Sequence, residues 1–374
     1  MRIAVLGAAG AMAQVVVADL LEFQPDVEIT AVDRRPIEPP DPRVRPVAVD
    51  VRDIVSLARI LAGHDAVLNC VTYYLNVEVM RAALAARIPY SDLGGLYHGT
   101  LRQFELHEEF AEAGVPALLG MGSTPGITNA MAGELARTLD AVEEVHVRVG
   151  CVDEGASGPL PVPYALDTLL DEFVLPPMVV EEGVARPVEP MSGFESLEFP
   201  APVGRVEAMY TLHSEVAMFP RSWPGLAAAS FKVAFGRELY EKTRFLVELG
   251  FAGRAALVRD VSPREMLLAL AGAQAAPGGE PRDADGLRVI VRGQAGGRRV
   301  ERIGECIATP RPGLPFAAGA LDTGVPLAIA GQLLAERAIA GDGVLCPELA
   351  LPHRRFFSEL ARRGLDVRFS ETPS

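Results

Sequence analysis

Residues 2–13 read RIAVLGAAGAMA, and this stretch decides the fold. RIAVL is an apolar run too short for a helix, and the glycines at 7 and 10 lead into a helical pattern carrying Val16, Leu20 and Phe23. The reading is strand, glycine turn, helix. A second apolar run, Val27 to Val32, ends on Asp33, about twenty residues past the glycines, where a dinucleotide-binding fold places an acid on the adenosine ribose. Gly7 permits the tight turn and Gly10 admits a pyrophosphate without Cβ interference. Ala13 is small enough for close helix–strand packing, and the helix start at Ala11 and Met12 offers free N–H groups to the anion. The spacing is G-x-x-G-x-x-A instead of G-x-G-x-x-G, so the turn holds one extra residue. Met1-Arg2 with the apolar run and Ala11-Met12-Ala13 imitates a secretory signal, but the glycine turn favours the strand–turn–helix reading.

The alternation continues outward. Strands are expected at 47–49, ending at Asp50, and at 66–69, 90–93 and 117–119, with helices near 53–62, 76–86 and 101–113. Short buried strands alternating with helices are the pattern of a parallel sheet covered on both faces. The loop Cys70-Val71-Thr72-Tyr73-Tyr74 and Asp92 then fall at the carboxyl edge, where such sheets bind ligands. Asp33 favours NAD, while Arg34 and Arg35 would suit the 2′-phosphate of NADP.

GMGSTPGITNAMAGELARTL at 120–139 leaves the sheet through a rigid turn, with Ser123 or Thr124 as the expected N-cap and Pro125 in the first helical position. Asn129 stands out as a polar group in that first turn. After residue 140 the strands lengthen, and two of them, 287–291 and 299–308, are joined through Gln294-Ala295-Gly296-Gly297 as a hairpin. Segment 176–204 is rich in Pro and Gly and reads as a loop or lid. Polar residues gather at 207–232. Strand alternation would put Glu207 on one face with His213 and Glu215, and Arg221 or Lys232 is suited to a substrate carboxylate. Thr323-Gly324-Val325-Pro326 is expected to start an apolar helix that packs back on the first sheet.

Composition bounds the remaining possibilities. A chain of 374 residues with 49% hydrophobic and 22% charged residues suits two globular domains. Lys and Arg total 35 against 49 Asp and Glu, a net charge of −14 with no local basic patch, which argues against a nucleic-acid partner. No apolar run is long enough to suggest a membrane span. Four scattered cysteines, at 70, 151, 306 and 346, argue against a metal site or disulfide framework and suit a cytoplasmic setting.

Three groups of stretches together resemble the saccharopine dehydrogenase family, which includes lysine 6-dehydrogenases and carboxynorspermidine dehydrogenases. They are GAAGAMAQ with LNCVTYYLN and PYSDLGG; STPGITN at 123–129; and DTGVPLAIAGQLL with GDGVLCPE. The resemblance implies an α/β chain. A Rossmann-type domain at 1–122, completed by 324–374, would carry an inserted mixed α+β domain at 123–323 for substrate binding and homodimerisation. The cofactor set is expected to be Gly7, Gly10, Ala11, Met12, Asp33, Arg34, Asp50, Val51, Cys70, Val71 and Thr72, holding NAD, with NADP as the alternative. Asp92, His213 and Glu215 are the catalytic candidates, and Tyr74, Asn129, Glu207, Arg221 and Lys232 the substrate-binding ones. The implied chemistry is hydride transfer between nicotinamide and an amine-bearing carbon of a small amino acid. The glycine turn is more similar to that of dihydrodipicolinate reductases, which keeps open a reductase of a cyclic imine acid, and a non-catalytic NAD(P)-binding regulator is the third reading.

Overall fold

In the computed structural model the described residues are 1–155, 159–257, 259–273 and 280–373. The amino-terminal half runs β1 (Arg2–Leu6), α1 (Ala11–Phe23), β2 (Glu28–Asp33), β3 (Val44–Ala48), α2 (Ile54–Leu61), β4 (Ala66–Asn69), α3 (Asn76–Ala86), β5 (Tyr90–Asp92), α4 (Leu96–Phe104), α5 (His107–Ala113) and β6 (Pro116–Leu118). The expected helix at 101–113 is thus two helices. These six strands pair in parallel in the order 6-5-4-1-2-3, the dinucleotide-binding order, with the crevice between β1 and β4 at the topological switch point. Ile3 to Leu6 and Ala66 to Leu68 are fully buried because both faces of these central strands are covered by helices.

The chain then crosses through α6 (Ile127–Ala136) into β7 (Ala141–Asp153), α7 (Leu166–Val174), β8 (Met178–Glu181), β9 (Val184–Pro187), β10 (Glu195–Glu198), β11 (Arg205–Tyr210) and α8 (Glu215–Ser222). It continues with β12 (Ala228–Ala234), α9 (Arg237–Glu248), α10 (Pro263–Ala273), β13 (Asp283–Ala295) and β14 (Arg298–Ala308). The second sheet is mixed: β12 runs parallel to β7 and the other pairings are antiparallel. The β13–β14 hairpin turns at Gly296 and Gly297, both at positive φ (+56° and +73°), which suits the twist of the flanking strands. Segment 176–204 is not simply a loop. Its β8 and β10 pair with β12 and β11, so backbone pairing takes up a Pro- and Gly-rich stretch.

The tail forms α11 (Ala318–Ala335), β15 (Gly343–Leu345), α12 (Pro347–Ala350), α13 (His353–Arg362) and β16 (Val367–Pro373). α11 starts before Thr323, so Pro326 lies inside the helix. By length and composition α11 is apolar enough to cross a bilayer, but 78% of it is buried within the protein. It packs on α1 and on strands of both sheets, and a Cβ on Gly324 would stand 2.6 Å from Val15 Cβ, so only glycine permits that approach. β15 adds a seventh parallel strand beside β6. β16 departs from the expected domain division: it pairs antiparallel with β14, so the tail completes the first sheet and then returns to the second.

Candidate active site

Gly7 follows β1 at φ +73°, and a Cβ there would stand 2.9 Å from the Cys70 carbonyl oxygen, so the ends of β1 and β4 close on one another only through glycine. The Gly10 N–H donates to the Gly7 carbonyl at 2.8 Å, and α1 begins next with no side-chain cap. Its first intrahelical bond is from Gln14 N–H to Gly10, which leaves the N–H groups of Ala11 and Met12 for an anion. Asp33, at the end of β2, accepts from Ala9 N–H at 3.1 Å and from Arg35 N–H at 2.9 Å. Burial would push its carboxyl up, but these bonds and the Arg35 guanidinium outweigh it and hold Asp33 below the usual range. Asp50 is gripped by the Arg52 fork, whose hydrogen bonds hold it low too. Arg34 has no ion pair or hydrogen-bond partner among the described side chains, and Val51 is buried beside this rim. Past β4, the Val71 N–H donates to Asn69 Oδ1 at 3.2 Å and Thr72 is exposed, while burial pushes the Cys70 thiol up so that it stays neutral. The cradle that a Cβ at Gly7 would fill, the uncapped helix start and the acid ending β2 fit a nicotinamide dinucleotide.

At the carboxyl ends of β4–β6 the second domain meets this crevice. Gly95 N–H donates to Ser214 Oγ at 3.2 Å, and Tyr73 Oη donates to Asp171 of α7 at 2.9 Å. Between these two contacts lies a buried polar group. His213 Nδ1 hydrogen-bonds Glu215 Oε2, while Glu215 Oε1 accepts from Thr128 Oγ1 of α6 at 3.1 Å. The imidazole lies flat on Phe231. Burial alone would lower the His213 pKa; the carboxylate of Glu215, with that of Glu172, raises it instead. Glu172 accepts from Tyr164 Oη at 2.7 Å, and burial pushes its carboxyl up to about 7, offset in part by His213. Asp285 and Asp322 adjoin, their pKa values raised by burial and then by neighbouring carboxylates, with Ser123 Oγ donating to Asp322 at 2.9 Å.

Several sequence expectations are corrected here. Asp92 is fully buried and takes four donors: Gly94 and Gly120 N–H on one oxygen, Tyr90 Oη and Gln103 Nε2 on the other. It ties the loops after β5 and β6 to α4 and has no free face for a substrate. Asn129, also fully buried, accepts from Gly126 N–H and donates to Glu348 at 2.8 Å, so it caps α6. The strand ends at Tyr210, so Glu207 does not share a face with His213 and Glu215; it is exposed on β11. Lys232 follows Phe231 in β12 and therefore points to the opposite face, where its Nζ pairs with Glu195 at 2.8 Å. Arg221 leaves the group at the far end of α8. Tyr74 reaches the domain seam, but as a donor to Asp167 of α7. Of the polar candidates at 207–232, only His213 and Glu215 are brought together.

Glu172, Tyr164, Asp285 and Asp322 were not singled out from sequence. The usable signal was a carboxylate within an apolar segment, as at Asp322 in ALDTGVPLAIAG and Glu172 in LDTLLDEFV.

A Rossmann-ordered sheet with a glycine cradle, joined to an inserted mixed sheet that carries a buried His–Glu pair, defines a two-domain dinucleotide-binding architecture. Residues 3–118 match the family model described as the saccharopine dehydrogenase NADP binding domain. That segment, which spans β1 to β6, is thus similar to the NADP-binding domain of saccharopine dehydrogenases. The fold of the chain is similar to that of the apo saccharopine dehydrogenase (L-Glu forming) from Saccharomyces cerevisiae, with a TM-score of 0.71, 17% identity and 99% of both chains covered. The carboxyaminopropylagmatine dehydrogenase of Synechocystis sp. is 23% identical over 218 residues, which are 56% of this chain and 54% of that protein. The match spans about half the length of that relative.

Proposed function

We propose that the protein is an NAD-dependent dehydrogenase acting on a carbon–nitrogen bond, with an amino acid or an amine derived from one as substrate. The observation that carries this reading is the buried His213–Glu215 pair, which brackets Ser214 where it accepts from Gly95 beyond β5. When bound, the nicotinamide accepts or supplies the hydride. Gly7, Gly10 and the N–H groups of Ala11 and Met12 hold the pyrophosphate, and Asp33 accepts from the adenosine ribose. His213 moves the proton of the reacting nitrogen. Its Nδ1 is engaged by Glu215, so Nε2 is the exchanging atom, and Glu215 fixes the ring orientation and stabilises the imidazolium. Phe231 covers one ring face and keeps water from it. Glu172 and Asp285, both pushed up to about 7 by burial, ionise at alkaline pH and would then give the seam a negative lining that supports a cationic amine as substrate.

The choice of NAD rests on charge. Arg35 is neutralised by Asp33 and Arg52 by Asp50, leaving Arg34, which has no ion-pair partner among the described residues, to face a 2′-phosphate.

The test is reduction of NAD and of NADP at alkaline pH with lysine, saccharopine, related diamino acids and carboxyaminopropylagmatine, the compound that names the Synechocystis relative. Turnover of one amine, lost in His213→Ala with NAD affinity retained, is the expected result. Tight NAD binding with silence across the whole panel would sink the proposal.

A further inference from the structure

A second cavity, of about 260 Å³, lies beside β15 and shares no residue with the dinucleotide cradle or the His213 seam. α4 and α5 contribute Phe104 and His107, α8 contributes Arg221, and the tail supplies Val344, Leu345 and Leu349. The Arg221 guanidinium lies over the Phe104 ring, 4.2 Å from its centroid, and has no hydrogen-bond or ion-pair partner among the described residues. Arg221 is exposed at the mouth of this cavity, and the Phe104 ring, not a carboxylate, holds its guanidinium in place beside the apolar wall.

The surroundings fix the chemistry of what it takes. The acid beside this wall, Glu348, is 1% exposed and does not line the cavity. Its oxygens accept from Ser222 Oγ at 2.7 Å and Asn129 Nδ2 at 2.8 Å, so they are not available to Arg221. His107 meets the Val344 backbone through Nδ1, which leaves Nε2 as its second polar atom. Burial pushes the Cys346 thiol up, so it lines the cavity as a neutral group and offers no nucleophile. Most of the remaining wall is hydrocarbon. The volume is below the roughly 300–1,000 Å³ of drug-sized sites. We propose that this cavity binds a small organic monoanion, whose carboxylate pairs with Arg221 while an apolar body of a few carbons fills the space against Val344, Leu345 and Leu349.

The test uses 4-fluorobenzoate as the probe and the full chain, observed by fluorine NMR. Saturable binding is expected, with the neutral 4-fluorobenzamide weaker by about tenfold or more, the difference that one charge-assisted pair supplies. Arg221→Ala is expected to lose at least about tenfold in benzoate affinity, whereas Arg298→Ala, at an exposed arginine of the β13–β14 hairpin, leaves it unchanged. Should Arg221→Ala melt early, the parent chain still decides, because benzoate must shift the ring signals of His107, assigned by their loss in His107→Gln. Equal binding of acid and amide, no binding up to roughly 10 mM, or unmoved His107 signals would overturn the proposal.

Discussion

The imidazole of His213 lies on the phenyl ring of Phe231 with centroids 3.8 Å apart and planes inclined by 7°. One face of the ring is thereby dry, and its Nδ1 is held by Glu215. His213 is 9% exposed, so proton exchange is confined to a single nitrogen. His213→Ala is expected to lower kcat for amine oxidation by about 10²–10⁴, the range of a lost general base, with NAD affinity unchanged.

Amine oxidation requires His213 in its neutral form, so kcat/KM rises with pH through a midpoint above 6.5, the ordinary histidine value. Glu215 is what raises that midpoint. Glu215→Gln therefore moves the acidic limb of the profile to lower pH, and a profile that stays put would show that His213 is not the titrating group.

Glu172 makes a stability prediction. Its carboxyl titrates near 7 in the folded chain against an ordinary 4.5, so the folded state binds this proton more tightly than the unfolded state. The contribution to stability is fully present below about 4.5 and is lost as pH rises through about 7. Glu172→Gln cannot ionise, and it should gain on the parent chain from pH 5 to pH 8, by about 3 kcal/mol at most. Tm measured at both ends of that window checks the sign: the difference must be larger at pH 8.

The cofactor cradle predicts two separable losses, both read by titration of NAD and NADP fluorescence quenching. Gly7→Ala places a Cβ 2.9 Å from the Cys70 carbonyl oxygen at φ +73° and should weaken both dinucleotides by at least about tenfold. Asp33→Asn should weaken NAD selectively, by about 1–2 kcal/mol, and narrow its advantage over NADP. Equal losses for the two dinucleotides in Asp33→Asn would count against a ribose role.

A buried ion pair ties the tail to the first helix. Arg363 Nε donates to both oxygens of Asp19 at 2.8 and 3.0 Å, and the side chains are 1% and 2% exposed. Arg363→Met leaves Asp19 buried without its partner and should cost about 3–5 kcal/mol in urea unfolding. Adding Asp19→Leu should restore most of that, because a hydrocarbon pair of similar size avoids the desolvation of two charges. A single-variant loss below about 1 kcal/mol would mean the pair does not anchor the tail.

The sequence by itself determined the parallel sheet, the glycine turn after β1, the acid ending β2 and the return of the chain to the first sheet. These are legible because each rests on local rules: apolar period, turn geometry and a fixed spacing between strand ends. Tertiary structure alone decided what the polar side chains do. Asp92 stands at the expected sheet edge, but Gln103 of α4 and Gly120 beyond β6 enclose it together with its neighbours Tyr90 and Gly94, and nothing within its own segment announces the two distant donors. Lys232 and His213 lie on opposite sides of the sheet because the strand ends at Tyr210 and resumes at Ala228, which breaks any alternation counted through the gap. Glu172 enters the seam because α7 docks on Tyr73, 98 residues from Asp171. The exchange of one charge for another partner, or for none, is set by contacts between segments far apart in the chain, and such contacts leave no period or spacing to read.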